Sequence, residues 1–596
     1  MSKIRTSILA GVLCGLLVSR PAPAEEPLSA SRAAAEVDKK IDWRRARLIA
    51  VQDAGRYKTF ASMARESMMS MYGAEHLPGL SPEASALDWL FRRDSYRDAA
   101  VIRIRDKGLR IDFTTNLADD RRERILDTGR MTPAEFEAPL VQQRIEELEP
   151  RNTMGTAIRR VRDAQAVAEV FEKMLCIVPQ PGGGPTDAWY TMEDIQACLT
   201  PDVLAQLGIP GLRFRAALGN AAPALNPEQA LSVLLDWARL RAGWLSGDAM
   251  AVQRSLDHLA DYLPALASAG TYPNHSQRAA EAQYYQLGKF TWGWMLYFAG
   301  LIVSIWAVIT RWKAPWAIAL VILVAALGFH AYGVGLRWYI LDRIPIANMF
   351  EAVIGSAWLG VAVGLLLELI YRPRVFLLAA HALGFLALII GGYVIPGGGS
   401  ITTIMGILDD LMLRIHTLLI IWSYALIFLG AVIAIVYLAG YYRLQIGGSG
   451  VTSLPTGPLS AGFMSGATAL DLRHLRPIAA GDMPGDESQG GRLPLWLQQI
   501  DWCHLIILNL VFVMLFVGTI LGAVWADYSW GRPWGWDPKE VFALNTWIVY
   551  AILIHTRLFV VNKGLWTAWL SVAGCGMMAF NWCFVNFFIV GLHSYA

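Results

Sequence analysis

The sequence lacks several short motifs that would assign a chemistry at once. None of its six cysteines forms a Cys-x-x-Cys or Cys-x-x-Cys-His pattern, and the chain carries no glycine-rich phosphate-binding loop. The first absence excludes a c-type cytochrome and a thioredoxin-like reductant, because both need closely spaced thiols. The second excludes ATP-driven transport by this chain, because that chemistry needs a backbone cradle for phosphates.

Charge is also scarce. Asp, Glu, Lys and Arg make up only 17% of the 596 residues, against about 25% in ordinary soluble domains. Hydrophobic residues make up 55% and aromatic residues 11%, and the apolar residues are concentrated in the C-terminal half. This composition predicts a membrane protein with a separate, more polar N-terminal part. The net charge of +2 does not by itself indicate a class of partner. We expect no nucleic-acid partner.

The extreme N-terminus has the three regions of a secretory signal peptide. Lys3 and Arg5 precede an apolar stretch over residues 8–18, and Ala22-Pro23-Ala24 follows it. The apolar stretch is shorter than the roughly 20 residues that span a bilayer. We therefore predict a cleaved signal peptide over residues 1–24, which would place the residues that follow outside the cytoplasm.

Residues 25–287 are rich in charge and in helix starts, and they predict one mainly helical periplasmic domain. Ser81-Pro82 and Thr132-Pro133-x-Glu135 each pair an N-cap residue with a proline at the first helical position. The segment 51–60 contains a glycine turn whose basic face we expect to be solvated. Cys176 and Cys198 lie in this domain, and their spacing leaves open whether they pair.

Eight apolar segments follow, each long enough to span a membrane. They predict an all-α, polytopic membrane helix bundle over residues 288–596. A stretch rich in glycine, serine and proline, at about 443–495, predicts a flexible cytoplasmic linker between the fifth and sixth segments. The segments lie near residues 290–309, 315–334, 347–370, 375–395, 416–440, 504–526, 541–560 and 565–590.

A periplasmic N-terminal domain makes alternate loops cytoplasmic, and these loops are rich in arginine and lysine, as the positive-inside rule requires. The remaining loops then face the periplasm. One of them, at about 526–540, contains Trp530, Trp534 and Trp536 in the run Trp-Gly-Arg-Pro-Trp-Gly-Trp-Asp-Pro-Lys-Glu. Indole rings offer flat, amphipathic surfaces, so this loop predicts either a site for a planar apolar ligand such as haem or an aromatic belt.

The tryptophan-rich segment, extended by residues 522–526, resembles the WWD signature of the CcsA (ResC) family of cytochrome c biogenesis proteins. The resemblance covers about half of the chain, from Tyr284 onward. It implies that Trp530, Trp534 and Trp536 face haem, with Arg532 and Lys539 as partners of its propionates. Asp537 is compatible with two roles. It could orient the haem propionates, and Asp537-Pro538 also resembles the N-cap and first residue of the next helix.

The same resemblance assigns roles to histidines. The segments 413–416 and 591–595 resemble those that carry the axial haem ligands of the family, which implies His416 and His593. His555 aligns with an intramembrane histidine that holds haem on its way outward, together with a histidine of a partner subunit. His330 and His381 are also intramembrane; we expect helix contacts there, although either could supply a second intramembrane ligand.

The resemblance therefore implies a subunit of a system II cytochrome c synthase in the bacterial inner membrane. Such a subunit moves haem b to the periplasmic face and presents it to apocytochrome c for thioether attachment at C-x-x-C-H. It acts with a CcsB (ResB)-type membrane subunit and with thioredoxin-like proteins that reduce thiols, and no side chain of this chain need be the nucleophile. Two alternatives stay open: a haem exporter or chaperone without ligation chemistry, and a structural membrane scaffold that binds no haem.

Overall fold

The computed structural model describes residues 31–53, 55–115, 117–148, 155–184, 187–196, 225, 227–268, 270–287, 290–395, 399–403, 410–446, 493–560 and 562–588. The predicted signal peptide, Cys198, His593 and most of the predicted linker lie outside these residues. The chain divides into two compact units, residues 1–282 and 283–596, and each is described by itself.

The first unit is mainly helical, as the sequence predicts, around a core that includes the fully buried Trp89 and Trp244. The buried indole of Trp244 donates a hydrogen bond to Asp88 at 2.8 Å, which satisfies its polar atom in the core. Its helices are α1 (Ser31–Asp38), α2 (Phe60–Met71), α3 (Pro82–Arg92), α4 (Lys107–Thr114), α5 (Asp119–Thr128), α6 (Pro133–Phe136), α7 (Pro139–Leu148), α8 (Gly155–Met174), α9 (Met192–Gln196), α10 (Pro227–Ser246), α11 (Ala249–Leu266) and α12 (His275–Gln286).

Two predicted helix starts are confirmed. The Ser81 side chain accepts a hydrogen bond from the amide of Ala84 at the start of α3. Thr132 and Glu135 form a reciprocal capping box at the start of α6. In both cases a side-chain oxygen satisfies an amide that has no partner inside the helix.

Four short strands complete this unit: β1 (Ala50–Asp53) pairs with β2 (Arg56–Thr59), and β3 (Ile102–Arg103) pairs with β4 (Arg130–Met131), both antiparallel. The first pair corrects the expectation of a solvated basic face. Lys58 is buried and lies 2.5 Å from Asp53 and 2.8 Å from Glu66, because carboxylates from the hairpin and from α2 enclose it.

The second unit contains the eight predicted membrane helices, which are long and apolar enough to cross a bilayer among the residues described. A π-helical turn, Ile390–Val394, continues the fourth of them. Their bounds are α13 (Thr291–Thr310), α14 (Lys313–Leu341), α15 (Met349–Tyr371), α16 (Val375–Ile389), α17 (Leu411–Ile446), α18 (Leu495–Trp530), α19 (Pro538–Phe559) and α20 (Lys563–Phe588).

Helices α17 and α18 are longer than the sequence predicts, with 36 residues each, or about 54 Å at 1.5 Å per residue. Asp410 caps α17, because its side chain accepts a hydrogen bond from the amide of Leu413 at 2.9 Å. The predicted apolar segment starts at His416, so the expectation that this residue opens the helix is wrong. His416 lies in the second turn, deeper in the bundle than the helix end.

The two intramembrane histidines of the first half, His330 and His381, are fully buried between helices. Nδ1 of His330 lies 3.2 Å from the hydroxyl oxygen of Tyr297. Nδ1 of His381 lies 2.8 Å from the carbonyl oxygen of Leu377 and 3.0 Å from the hydroxyl of Ser304. These are the helix contacts that we expected for both residues.

Candidate functional site

A cavity of about 500 Å³ lies within the second unit, among α15 to α20. Its volume falls in the range of small-molecule sites, about 300–1,000 Å³. Most of the side chains around it are apolar, and a few polar groups converge on it. The polar and aromatic lining residues are Arg343, Asn348, Ser356, Arg414, His416, Thr417, Tyr424, Phe428, Thr519, Trp525, Trp534, Lys539, Glu540, Phe542, Asn581 and Trp582.

His416 is the histidine that the structure places on this cavity among the residues described. Its Nδ1 atom lies 2.7 Å from the carbonyl oxygen of Gly518 on α18. A carbonyl can only accept, so Nδ1 carries the proton, and the neutral ring has its lone pair on Nε2. Histidines that bind metals are commonly held in this way, with the second ring nitrogen donating to a carbonyl or carboxylate.

Two glycines on α18 allow α17 to pack closely, and one of them, Gly522, lies against the His416 ring. A Cβ atom built on Gly522 would lie 2.5 Å from Cε1 of His416, and one built on Gly518 would lie 2.9 Å from Cδ1 of Ile420. These glycines are four residues apart, the small-x-x-x-small spacing that lets membrane helices approach closely. The spacing of the two glycines is visible in the sequence, but the residues of α17 that pack against them are not.

The tryptophans of the loop occupy three different environments. Trp534 lines the cavity, and Trp536 lies beside it, with ring centroids 6.1 Å apart, but is 77% exposed. Trp530 ends α18 and packs edge-on against Trp525 at 5.0 Å. The cavity wall thus includes Trp534, Trp525 and Trp582, of which the sequence assigned only the first.

The charged residues of the loop also separate. Lys539 lines the cavity, whereas Arg532 is exposed and does not line it. Asp537 is buried and forms a capping box with Glu540 at the start of α19, with its side chain accepting from the amide of Lys539 at 3.0 Å. The structure thus shows the capping role for Asp537, which does not line the cavity.

Two further cations line the cavity, Arg343 and Arg414. Arg343 is held by the fully buried carboxylate of Glu351 at 2.9 Å, and Arg337 contacts the same carboxylate at 2.8 Å from the opposite side. Asn348 caps α15 through the amide of Glu351 at 2.9 Å. Asn348 is thus the N-cap of this helix, and the carboxylate of Glu351 beneath it holds an arginine at the cavity wall.

The remaining histidines lie elsewhere. His555 lies on the exposed face of α19, where its Nδ1 donates to the carbonyl of Ala551 at 2.7 Å, and it does not line the cavity. His504 on α18 is buried, and its Nε2 has no hydrogen-bond partner in the part of the chain that the structure describes. His593 lies outside the described residues, so its position relative to His416 stays a prediction.

Comparisons with known proteins identify relatives of the C-terminal half of this chain. Residues 346–593 match a family described as cytochrome C assembly protein. The cytochrome c biogenesis protein CcsA of Synechococcus sp. (strain CC9605) is 28% identical over 304 residues, which cover 51% of this chain and 94% of that protein. For CcsA of Synechococcus sp. (strain CC9902) the identity is 30% over 304 residues, with 50% and 93% covered. CcsA of Trieres chinensis is 30% identical over 269 residues, with 44% and 80% covered. The chain is therefore a multi-pass membrane protein that belongs to the CcsA family of cytochrome c biogenesis proteins.

Proposed function

We propose that this chain binds haem b in the cavity through His416 and presents it to apocytochrome c, as a subunit of a system II cytochrome c synthase. The placement of His416 carries the proposal. Its ring faces a cavity of about 500 Å³, and its Nδ1 donates a hydrogen bond to the carbonyl oxygen of Gly518 at an N–O distance of 2.7 Å. Imidazole in this neutral, oriented form is a usual axial ligand of haem iron.

The charges around the cavity match the charge of haem. Three cations, Arg343, Arg414 and Lys539, and one carboxylate, Glu540, line it, which leaves a net charge of +2. The pair Arg337 and Glu351 behind the wall adds no further charge. The two propionates of haem carry two negative charges, and arginine or lysine beside a carboxylate is a favourable pairing. Arg343, Arg414 and Lys539 thus replace the pair Arg532 and Lys539 as propionate partners.

The walls suit a flat, apolar macrocycle. Trp534, Trp525 and Trp582 present indole rings to the cavity, together with alanine, isoleucine and leucine side chains. Burial of apolar surface would supply most of the affinity, and the few polar groups would fix the orientation. Trp530 and Trp536, which do not line the cavity, have no direct part in holding the macrocycle in this proposal.

We assign His593 as the second axial ligand, from its place in the family-like segment at 591–595. His555 lies on the outward face of α19, where a neighbouring subunit could supply a second histidine. We therefore place the entry of haem at His555, from the cytoplasmic side, next to a CcsB (ResB)-type partner. The N-terminal unit and the tryptophan loop face the periplasm of a bacterial inner membrane in this topology.

Covalent attachment needs no nucleophile from this chain. Each reduced cysteine of the C-x-x-C-H segment adds its S–H across a haem vinyl group, so that one S–C and one C–H bond form while the S–H bond and the C=C π bond are broken. No oxidant or reductant is consumed, provided that thioredoxin-like proteins keep the thiols reduced. The histidine of the segment replaces one axial ligand. The chain contributes by holding both reactants together, which can supply a large effective molarity.

The test is co-expression of this chain with its ResB-type partner and a reporter apocytochrome that carries C-x-x-C-H. We expect haem that remains on the reporter in a denaturing gel for the wild type and none for His416→Ala. Arg532→Gln, a change at an exposed loop position, is the control and should leave attachment unchanged. Haem bound to the complex without any attached to the reporter would instead indicate a haem chaperone.

A further inference from the structure

Trp536 differs from every other tryptophan of its loop. It is 77% exposed, while the adjacent Trp534, whose ring is perpendicular to it at 6.1 Å, forms part of the cavity wall. The large indole is thus presented outward at the border of the site. An exposed aromatic residue of this size beside a ligand cavity is typical of the anchors that dominate binding between proteins.

The backbone at Trp536 is also held in an unfavourable conformation. Its φ angle is 55°, in the left-handed region that residues with a Cβ atom seldom adopt. The amides of Gly535 and Asp537, on either side of it, both donate to Oε2 of Glu540, at 2.8 and 3.2 Å. One carboxylate oxygen thus closes a ring around Trp536 and fixes the direction of its side chain.

A membrane anchor does not need this arrangement. Tryptophan at a bilayer interface is accommodated in ordinary helical backbone, as at a helix end. Strained residues persist only where the surrounding structure holds them in place, and they are enriched at functional sites. The fixed, outward indole, one ring away from the cavity, lies where a polypeptide must pass if its cysteines are to reach the edge of a bound macrocycle.

We propose that Trp536 is a docking residue for the polypeptide substrate, against which an apolar side chain of the haem-attachment segment of apocytochrome c packs. The proposal rests on the proposed function for the identity of that substrate. Glu540 is the positioning residue, because its carboxylate bonds the two amides that flank Trp536. In this proposal Trp534 contacts the macrocycle and Trp536 contacts the polypeptide, so that two tryptophans of one motif bind different substrates.

The experiment measures haem content and peptide binding separately in the full complex. The probe is a fluorescent peptide of the apocytochrome haem-attachment segment with both cysteines changed to serine and its histidine changed to alanine. Iron then plays no part in its binding. The variants are Trp536→Ala, Trp536→Phe, Trp534→Ala and Tyr528→Ala; Tyr528 is 89% exposed in the last turn of α18 and is the matched control.

We expect Trp536→Ala to keep the wild-type haem content and to weaken peptide binding at least about tenfold. Trp536→Phe should restore most of that binding, and Tyr528→Ala should change neither quantity. The proposal would be overturned if Trp536→Ala lost haem to the level of Trp534→Ala. It would also be overturned if Trp536→Ala bound the peptide as tightly as Tyr528→Ala does, and Trp536 would then be an interfacial anchor. Wild-type complex without haem, but with peptide binding that depends on Trp536, would refute the proposed haem site and leave the docking role standing.

Discussion

Gly522 on α18 lies directly against the ring of His416 on α17. A Cβ atom at Gly522 would lie 2.5 Å from Cε1 and 2.7 Å from Nδ1 of that ring. Contacts this short cannot exist, so any other residue at position 522 must displace the imidazole. The hydrogen bond to Gly518, and with it the direction of Nε2, depends on this absence of a side chain.

Gly522→Ala should therefore act as a haem-site mutation without touching a ligand. We expect haem affinity to fall about 10- to 100-fold, the usual effect of disturbing the partner of a metal-binding histidine. The measurement is haem titration of the purified complex. Gly576→Ala in α20 is the control, because nothing lies within 4 Å of a Cβ atom there. Equal affinity in the two variants would show that the His416 ring does not hold the ligand.

The strain at Trp536 predicts a reversed order of stability for two small substitutions. Glycine adopts left-handed backbone without a steric penalty, so Trp536→Gly should be more stable than Trp536→Ala by about 1 kcal/mol. At Tyr528, in helical backbone, the glycine variant should instead be less stable than the alanine variant by about 0.5–1 kcal/mol. Unfolding in mixed micelles with increasing SDS measures both pairs. The same order at both positions would argue against strain.

The carboxylate of Glu351 contacts two arginines; Glu351 and Arg337 are fully buried, and the Arg343 side chain is 10% exposed. Glu351→Gln should destabilise the membrane unit by about 3–5 kcal/mol, because it leaves the charges of Arg337 and Arg343 without their partner. Asp342→Asn, at the exposed C-cap of α14, should change stability by less than about 0.5 kcal/mol. Equal thermal unfolding midpoints for the two variants would show that the cluster is not needed for folding.

Cys176 provides a test in the first unit. Burial raises the pKa of its thiol to about 11, which lowers the thiolate fraction at pH 8. Because thiolate is the reactive form, alkylation of the reduced, folded protein should be about 100-fold slower than that of a thiol with a pKa of about 9. Alkylation of the SDS-unfolded chain is the control. A reaction that appears only after reduction would instead show that Cys176 is in a disulfide.

Much of the fold could be predicted because its signals are local. The eight membrane helices follow from runs of apolar residues, and the cap at Asp537 follows from Asp-Pro with an acid in the first turn. Helix ends are not marked by hydrophobicity alone: α17 begins at Leu411 because the side chain of Asp410 caps it. The buried ion pairs of Lys58 could not be predicted, since its partner Glu66 belongs to another element.

In the candidate site, too, local motifs can be predicted from the sequence and contacts between distant segments cannot. His416 was assigned by a local motif, but its partner, Gly518, is 102 residues away, and no pattern within α17 indicates it. Trp530, Trp534 and Trp536 look equivalent in the sequence. In the structure α18 continues to Trp530, whereas Glu540 binds the amides on both sides of the exposed Trp536. Trp582, from a third helix, joins the cavity wall without any sequence signal that relates it to the loop.

The absorption spectrum of the purified complex, compared for wild type and His416→Ala with and without added imidazole, tests the central claim most directly. If His416 ligates haem in the cavity, the wild type shows a six-coordinate, bis-histidine spectrum, the variant loses it, and imidazole restores it. His330→Phe, a change at a histidine outside the cavity, is the control and should keep the wild-type spectrum. A His416→Ala variant with an unchanged haem spectrum and content would contradict the account.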